Sequence, residues 1–130
     1  MWIYLVINHI STDTGSVVDF FKALKCYKSG IFTENQLILS VASLWEIQIK
    51  SQLGKIKLRI PLAKLVEGQQ NSNCLSLMPI NATHVYALGD LPSVHKDPFD
   101  RMIVAQAKVE SLCFINHDTI LKKYPVDIRW

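Results

Sequence analysis

His95-Lys-Asp-Pro-Phe-Asp-Arg-Met-Ile-Val-Ala-Gln-Ala107, running on through Glu110 into Ser111-Leu-Cys-Phe-Ile115, decides the fold. Pro98 suits the first position of a helix, where its missing N–H would have no partner and its fixed φ is already helical. Asp97 can cap that helix, and Asp100 places negative charge at the positive end of the macrodipole. The spacing predicts a helix from Pro98 to about Glu110. Ser111–Ile115 is short and apolar, which predicts a buried strand. A helix that passes directly into a buried strand is half of a βαβ unit.

The same alternation extends outward in both directions. Trp2–Ile7 and Gln36–Ser40 are short, apolar runs and read as buried strands. Val17, Phe20, Phe21 and Leu24 recur at helical spacing, which predicts an amphipathic helix from Val17 to Lys28. A helix is expected from about Leu44 to Leu53, stopped by Gly54. Pro61 can open the next one. Leu75–Ile80 reads as a strand, and Asn81 as the cap of a helix reaching about Leu88. Leu91–Lys96 is a loop, a helical stretch is expected near Thr119–Lys123, and Val126–Trp130 is a final strand. Strands alternating with helices of this length give an α/β three-layer sandwich, with a central, mainly parallel sheet flanked by helices. Ligands of such sheets gather outside the carboxyl ends of the strands.

Length and composition agree. A chain of 130 residues, 49% hydrophobic and 19% charged, fits one globular domain over residues 1–130. The three cysteines, Cys26, Cys74 and Cys113, form no CxxC pair, which argues against a zinc site and for a reducing, cytoplasmic setting. Cys113 reads as core. Trp2–Ile7 is too short to span a membrane. The net charge of +3 permits a nucleic-acid partner without demanding one.

Three acids stand where a strand gives way to a helix: Glu46 after Ser40, Asp100 in the first turn after Pro98, and Asp118 just past Ile115. In a parallel sheet they would converge at one edge. Each also has a local reading. Ser43-Leu-Trp-Glu46 has the form of a capping box, Asp100 can serve the macrodipole, and Asp118 can cap a short helix. Together they suggest a site for Mg2+ or Mn2+, which takes hard oxygen ligands and relieves the repulsion of clustered carboxylates. Trp45 and Phe99 are expected to be buried, with Glu46 and Asp100 facing the cleft. Aromatic residues are not interleaved with a basic stripe, so no stacking platform for single strands is expected. Lys50, Lys55, Lys96 and Arg101 are the candidate phosphate contacts, or equally a solvated face.

Residues 40–55, Ser-Val-Ala-Ser-Leu-Trp-Glu-Ile-Gln-Ile-Lys-Ser-Gln-Leu-Gly-Lys, resemble the second-acid segment of the PIN-domain family in its VapC-like toxin branch. Residues 95–107 resemble the third-acid segment, and residues 114–124, Phe-Ile-Asn-His-Asp-Thr-Ile-Leu-Lys-Lys-Tyr, the fourth. The resemblance runs from about Gln36 to Trp130. It implies a metal-dependent ribonuclease, the toxin of a type II toxin–antitoxin pair, with Glu46, Asp100 and Asp118 as catalytic and metal-site acids. Asp97, Asn116, Arg101 and Asn8 are auxiliary candidates. Asp97 is either a further acid or only the helix cap, and Arg101 either meets an acid or phosphate or is an ordinary surface arginine. The implied partners are an RNA substrate, a cognate antitoxin presenting a basic side chain near the acids, and a second copy of the chain; no membrane is implied.

The amino end departs from the family. There the first strand ends in an aspartate, but Leu5-Val-Ile-Asn-His-Ile10 has no acid. Asn8 offers only a neutral oxygen, and residues 1–35 match poorly. A shifted start site or a frameshift would produce this pattern. Two main function classes follow: a ribonuclease with a weakened metal site, or a catalytically inactive PIN-fold protein serving as a binding module or surviving as a degenerate gene product. A receiver-like phospho-acceptor domain ranks last, because its early acidic pair is missing.

Overall fold

The computed structural model describes residues 3–6, 36–94, 96–115 and 122–129. Numbered in chain order, the described elements are β1 (Ile3–Val6), β2 (Gln36–Ser40), α1 (Val41–Gln52), α2 (Leu62–Asn73), β3 (Leu75–Met78), α3 (Ala82–Ala87), α4 (Pro98–Val109), β4 (Cys113–Ile115) and β5 (Ile128–Arg129). A 3-10 turn, Leu88–Asp90, follows α3, and residues 122–123 are also in 3-10 conformation. The five strands form one parallel sheet in the order β3-β2-β1-β4-β5. Among the described residues no helix is long and apolar enough to cross a membrane. The helix expected over 17–28 and most of the stretch at 119–123 lie outside the described residues.

Parallel pairing puts all the strand ends on one edge. Val6 is in register with both Leu39 and Ile115, and Ser40 with Met78. The chain builds outward from β1 to β2 and β3, then returns to the other side of β1 for β4 and β5. The order therefore reverses at the β1–β4 junction, where open α/β sheets place their binding crevice.

Alternation along β2 divides the core between the two faces. Leu37 and Leu39 pack with Ile47, Ile56 and Leu75 on one side. Ile38 packs with Ala42, Ile103, Val104, Ala107 and Phe114 on the other. Cys113 and Phe114 divide in the same way, with Cys113 buried as expected. Helices cover both faces, which is why the strands read as nearly continuous apolar runs.

Helix ends follow backbone accounting. At the end of α1 the N–H of Gly54 bonds Ser51 O at 3.1 Å and that of Lys55 bonds Lys50 O at 2.9 Å. This is a Schellman stop, with Gly54 at φ 72°. Helix α4 ends in the same way: Ser111 N reaches Lys108 O and Leu112 N reaches Ala107 O. Here a serine holds the left-handed position, at φ 53°.

One boundary differs from expectation. Helix α1 starts at Val41, not near Leu44, because Ser40, the last residue of β2, is itself the cap and accepts from Ala42 N at 3.0 Å. No loop intervenes, and Ser43-Leu-Trp-Glu46 does not act as a capping box. Glu46 is thereby freed from backbone duty. Pro61 precedes the first helical residue of α2 instead of occupying it.

Candidate metal and nuclease site

Glu46 lies in the second turn of α1, on a stripe with Ala42, Ser43 and Ile47 that faces the protein interior. Its residue is 4% exposed. One turn on, Lys50 Nζ stands 2.7 Å from Glu46 Oε1. The ammonium compensates a carboxylate that burial alone would penalise heavily.

Asp100 is the third residue of α4 and is 2% exposed. The cap is Asp97, whose Oδ1 accepts from Phe99 N at 2.8 Å and Asp100 N at 3.3 Å. A single carboxylate closes the helix start, so capping does not explain why a second one is buried beside it.

Trp45 and Phe99 each precede one of these acids, and their rings meet edge to face, centroids 5.2 Å apart at 86°. The second turn of α1 and the first turn of α4 are therefore neighbours. The expectation that Trp45 is buried is overturned: it is 59% exposed, while Phe99 is half-buried. Adjacent helical residues diverge by about 100°, and the interior stripe of α1 falls on Glu46 and Ile47, which leaves Trp45 outside.

The remaining candidates separate. The Arg101 guanidinium donates to the carbonyls of Pro92 at 3.1 Å and Leu88 at 3.3 Å, pinning the loop before α4. Lys50 serves Glu46, while Lys55 and Lys96 are exposed. Asn8, Asn116 and Asp118 lie outside the described residues. Val6 and Ile115, which end β1 and β4, are register partners.

Ser40, Gln106 and His84 form a buried polar network that the sequence reading does not contain. Ser40 Oγ donates to Gln106 Oε1. Gln106 Nε2 donates to Pro79 O at 3.2 Å and lies 3.4 Å from His84 Nδ1. Asn81 N also donates to that nitrogen, at 3.2 Å, within the Asn81–His84 capping box of α3. A ring nitrogen accepting an N–H carries no proton, so the His84 proton sits on Nε2 and points at Glu110 Oε1, 2.8 Å away. The chain thus links the start of α1, α3 and the far end of α4. Two signals were available in the sequence: a lone Gln106 in the apolar run Ile103–Ala107, and a histidine three residues after a capping asparagine.

The donor set suits a hard divalent cation in kind, being carboxylate oxygen from neighbouring helices at the carboxyl edge of the sheet. In number it is short: among the described residues no three His, Cys, Asp or Glu side chains gather as a metal site. Glu46 and Asp100 supply two carboxylates.

A scan of protein families matches the PIN domain over residues 11–127. That match takes in residues 11–35 and leaves out β1. Among solved structures, VapBC2 from Rickettsia felis, bound to a DNA fragment from their promoter, aligns with a TM-score of 0.66 at 15% identity, covering 98% of this chain and 97% of the other. VapBC-1 from nontypeable Haemophilus influenzae aligns at 0.62 and 14%, covering 98% and 96%. At such identities the likeness is one of fold. No curated protein matches the sequence.

Proposed function

The chain belongs to the PIN domain family, and on that premise we propose that it is a metal-dependent ribonuclease of the VapC type, the toxin of a type II toxin–antitoxin pair, built as one domain and acting in the cytoplasm. The observation that carries the reading is the pair of buried carboxylates, Glu46 and Asp100, on adjacent helices at the carboxyl edge of an all-parallel sheet. Asp118 is the third acid of the set. When bound, Mg2+ or Mn2+ supplies an activated water and neutralises charge on the phosphodiester. The chain's own residues set the stage: Lys50 holds the Glu46 carboxylate, and the Asp97 cap fixes the first turn that carries Asp100. The VapBC likeness supports an antitoxin partner, whose arginine would find a carboxylate edge to pair with. The homodimer belongs to the same proposal.

One sequence fact favours a second reading, a PIN-fold binding module without catalysis: Leu5–Ile10 contains no acid. Calorimetric titration with Mn2+ separates the two. One saturable site, weakened by Asp100→Asn, together with cleavage of RNA only when metal is present, is expected of the ribonuclease. Neither saturable binding nor cleavage would leave the binding module.

The Glu46–Lys50 pair gives a second handle. Lys50→Met strands a buried carboxylate. It is expected to cost about 1–2 kcal/mol in chelator, less than for a fully buried pair because Lys50 is partly exposed. Adding Mg2+ or Mn2+ is expected to restore part of the loss, read as a rise in the urea midpoint. A loss that metal does not change would mean that Glu46 answers to Lys50 alone.

A further inference from the structure

Burial does not account for a tryptophan at position 45. More than half its surface is open to solvent, so it forgoes most of the burial that usually places this residue. Its neighbours on the same helical stripe, Val41 and Gln48, are exposed as well. Among the described residues, the ring meets that of Phe99 edge to face. That contact orders an aromatic surface in advance without covering it.

The position of the ring is informative. Trp45 precedes Glu46 and Phe99 precedes Asp100, so the aromatic pair joins the two helical segments that carry the candidate acids. Tyr86, also exposed, sits on α3 and adjoins neither acid in sequence. Resting on the ribonuclease reading, we propose that Trp45 is the platform on which a base of the RNA strand stacks, next to the bond that is cut. A strand whose phosphodiester approaches Glu46 and Asp100 has to lay its flanking bases on the surrounding wall, and an ordered open indole takes any base by its π-face.

The test is binding in chelator, so that no probe is cut. The probes are an oligoadenylate RNA octamer and an abasic ribose-phosphate octamer of equal charge. The natural protein is expected to prefer the oligoadenylate. Trp45→Ala is expected to weaken oligoadenylate binding roughly 10- to 100-fold while leaving the abasic probe unchanged. Trp45→Phe should retain most of the preference, which a general loss of structure would not allow. The proposal is overturned if Trp45→Ala keeps the preference. It is also overturned if Trp45→Ala leaves RNA binding intact and instead weakens self-association or capture of an antitoxin, which would make the ring a protein contact. If the natural protein neither binds the octamer nor cleaves RNA in Mn2+, the ribonuclease reading itself fails. Intact cleavage with an unaltered Trp45→Ala variant removes the stacking role alone.

Discussion

Asp100→Asn is expected to reduce metal-supported RNA cleavage by at least about 100-fold, the upper end of what is lost when only a partner outside the ligand shell is removed. The substitution keeps shape and removes charge. Helix α4 should survive it, since Asp97 does the capping. Far-ultraviolet circular dichroism is therefore expected to be unchanged while activity disappears. The converse experiment restores charge at the amino end. The end of β1, Val6, is flanked in register by Leu39 and Ile115, so the residues that follow it in sequence, Ile7 and Asn8, are the ones to test for an acid at the β1–β4 junction. Either Ile7→Asp or Asn8→Asp is expected to raise cleavage by about 10-fold or more, by adding a charged ligand for the metal that activates water. Adding Asp100→Asn to the better variant should abolish the gain. Family-like rates in the natural protein, unimproved by either change, would mean that the missing aspartate is no defect.

Gln106→Leu is expected to be the most destabilising single change near the site. The side chain is fully buried and serves Ser40, Pro79 and His84 at once. Ser40 Oγ still accepts from Ala42 N and His84 Nδ1 from Asn81 N, but the Ser40 hydroxyl loses the acceptor described for it and the Pro79 carbonyl its donor. The cost is expected to be about 2–3 kcal/mol, read as a lower urea midpoint at unchanged slope. Gln106→Glu is a sharper probe. It keeps an acceptor for Ser40 but turns an acceptor toward Pro79 O and His84 Nδ1, and is expected to cost at least as much at neutral pH. If both variants match the natural protein, the network has been read in the wrong sense.

Much of the scaffold was legible in the sequence because local chemistry specified it. Gln36–Ser40 emerged as a strand with its expected bounds, and Gly54, Asn81 and the Asp97-Pro98 pair punctuate the helices as their backbone preferences require. The start of α1 was misplaced because two serines three residues apart compete for the cap. Ser43 brings the better local signature, with glutamate three residues later, but Ser40 caps the helix and also bonds Gln106, 66 residues away. Spacing along one helix cannot register that contact. Trp45 was misread for a related reason. The prior that tryptophan is buried is strong, and only the position of α4 reveals that Glu46 and Ile47 face inward instead. Asp118 rests on its place just past Ile115 and on sequence resemblance, and Asn116 and Asn8 on the resemblance.

Ser111 bears on how far the chain tolerates change. It holds a left-handed conformation without glycine's freedom, just before β4 begins, whereas Glu46 and Asp100 belong to the opposite, carboxyl edge. Such a residue sits about 1 kcal/mol above what glycine would allow. The protein thus carries an unused reserve of stability at a place remote from chemistry. Proteins persist a little above the threshold that function requires, and a reserve of this kind widens the set of substitutions a lineage can survive. Ser111→Gly is expected to raise the urea midpoint without altering RNA binding or cleavage. In that background, otherwise marginal changes in the Ser40–Gln106–His84 chain become accessible, to experiment and to drift alike.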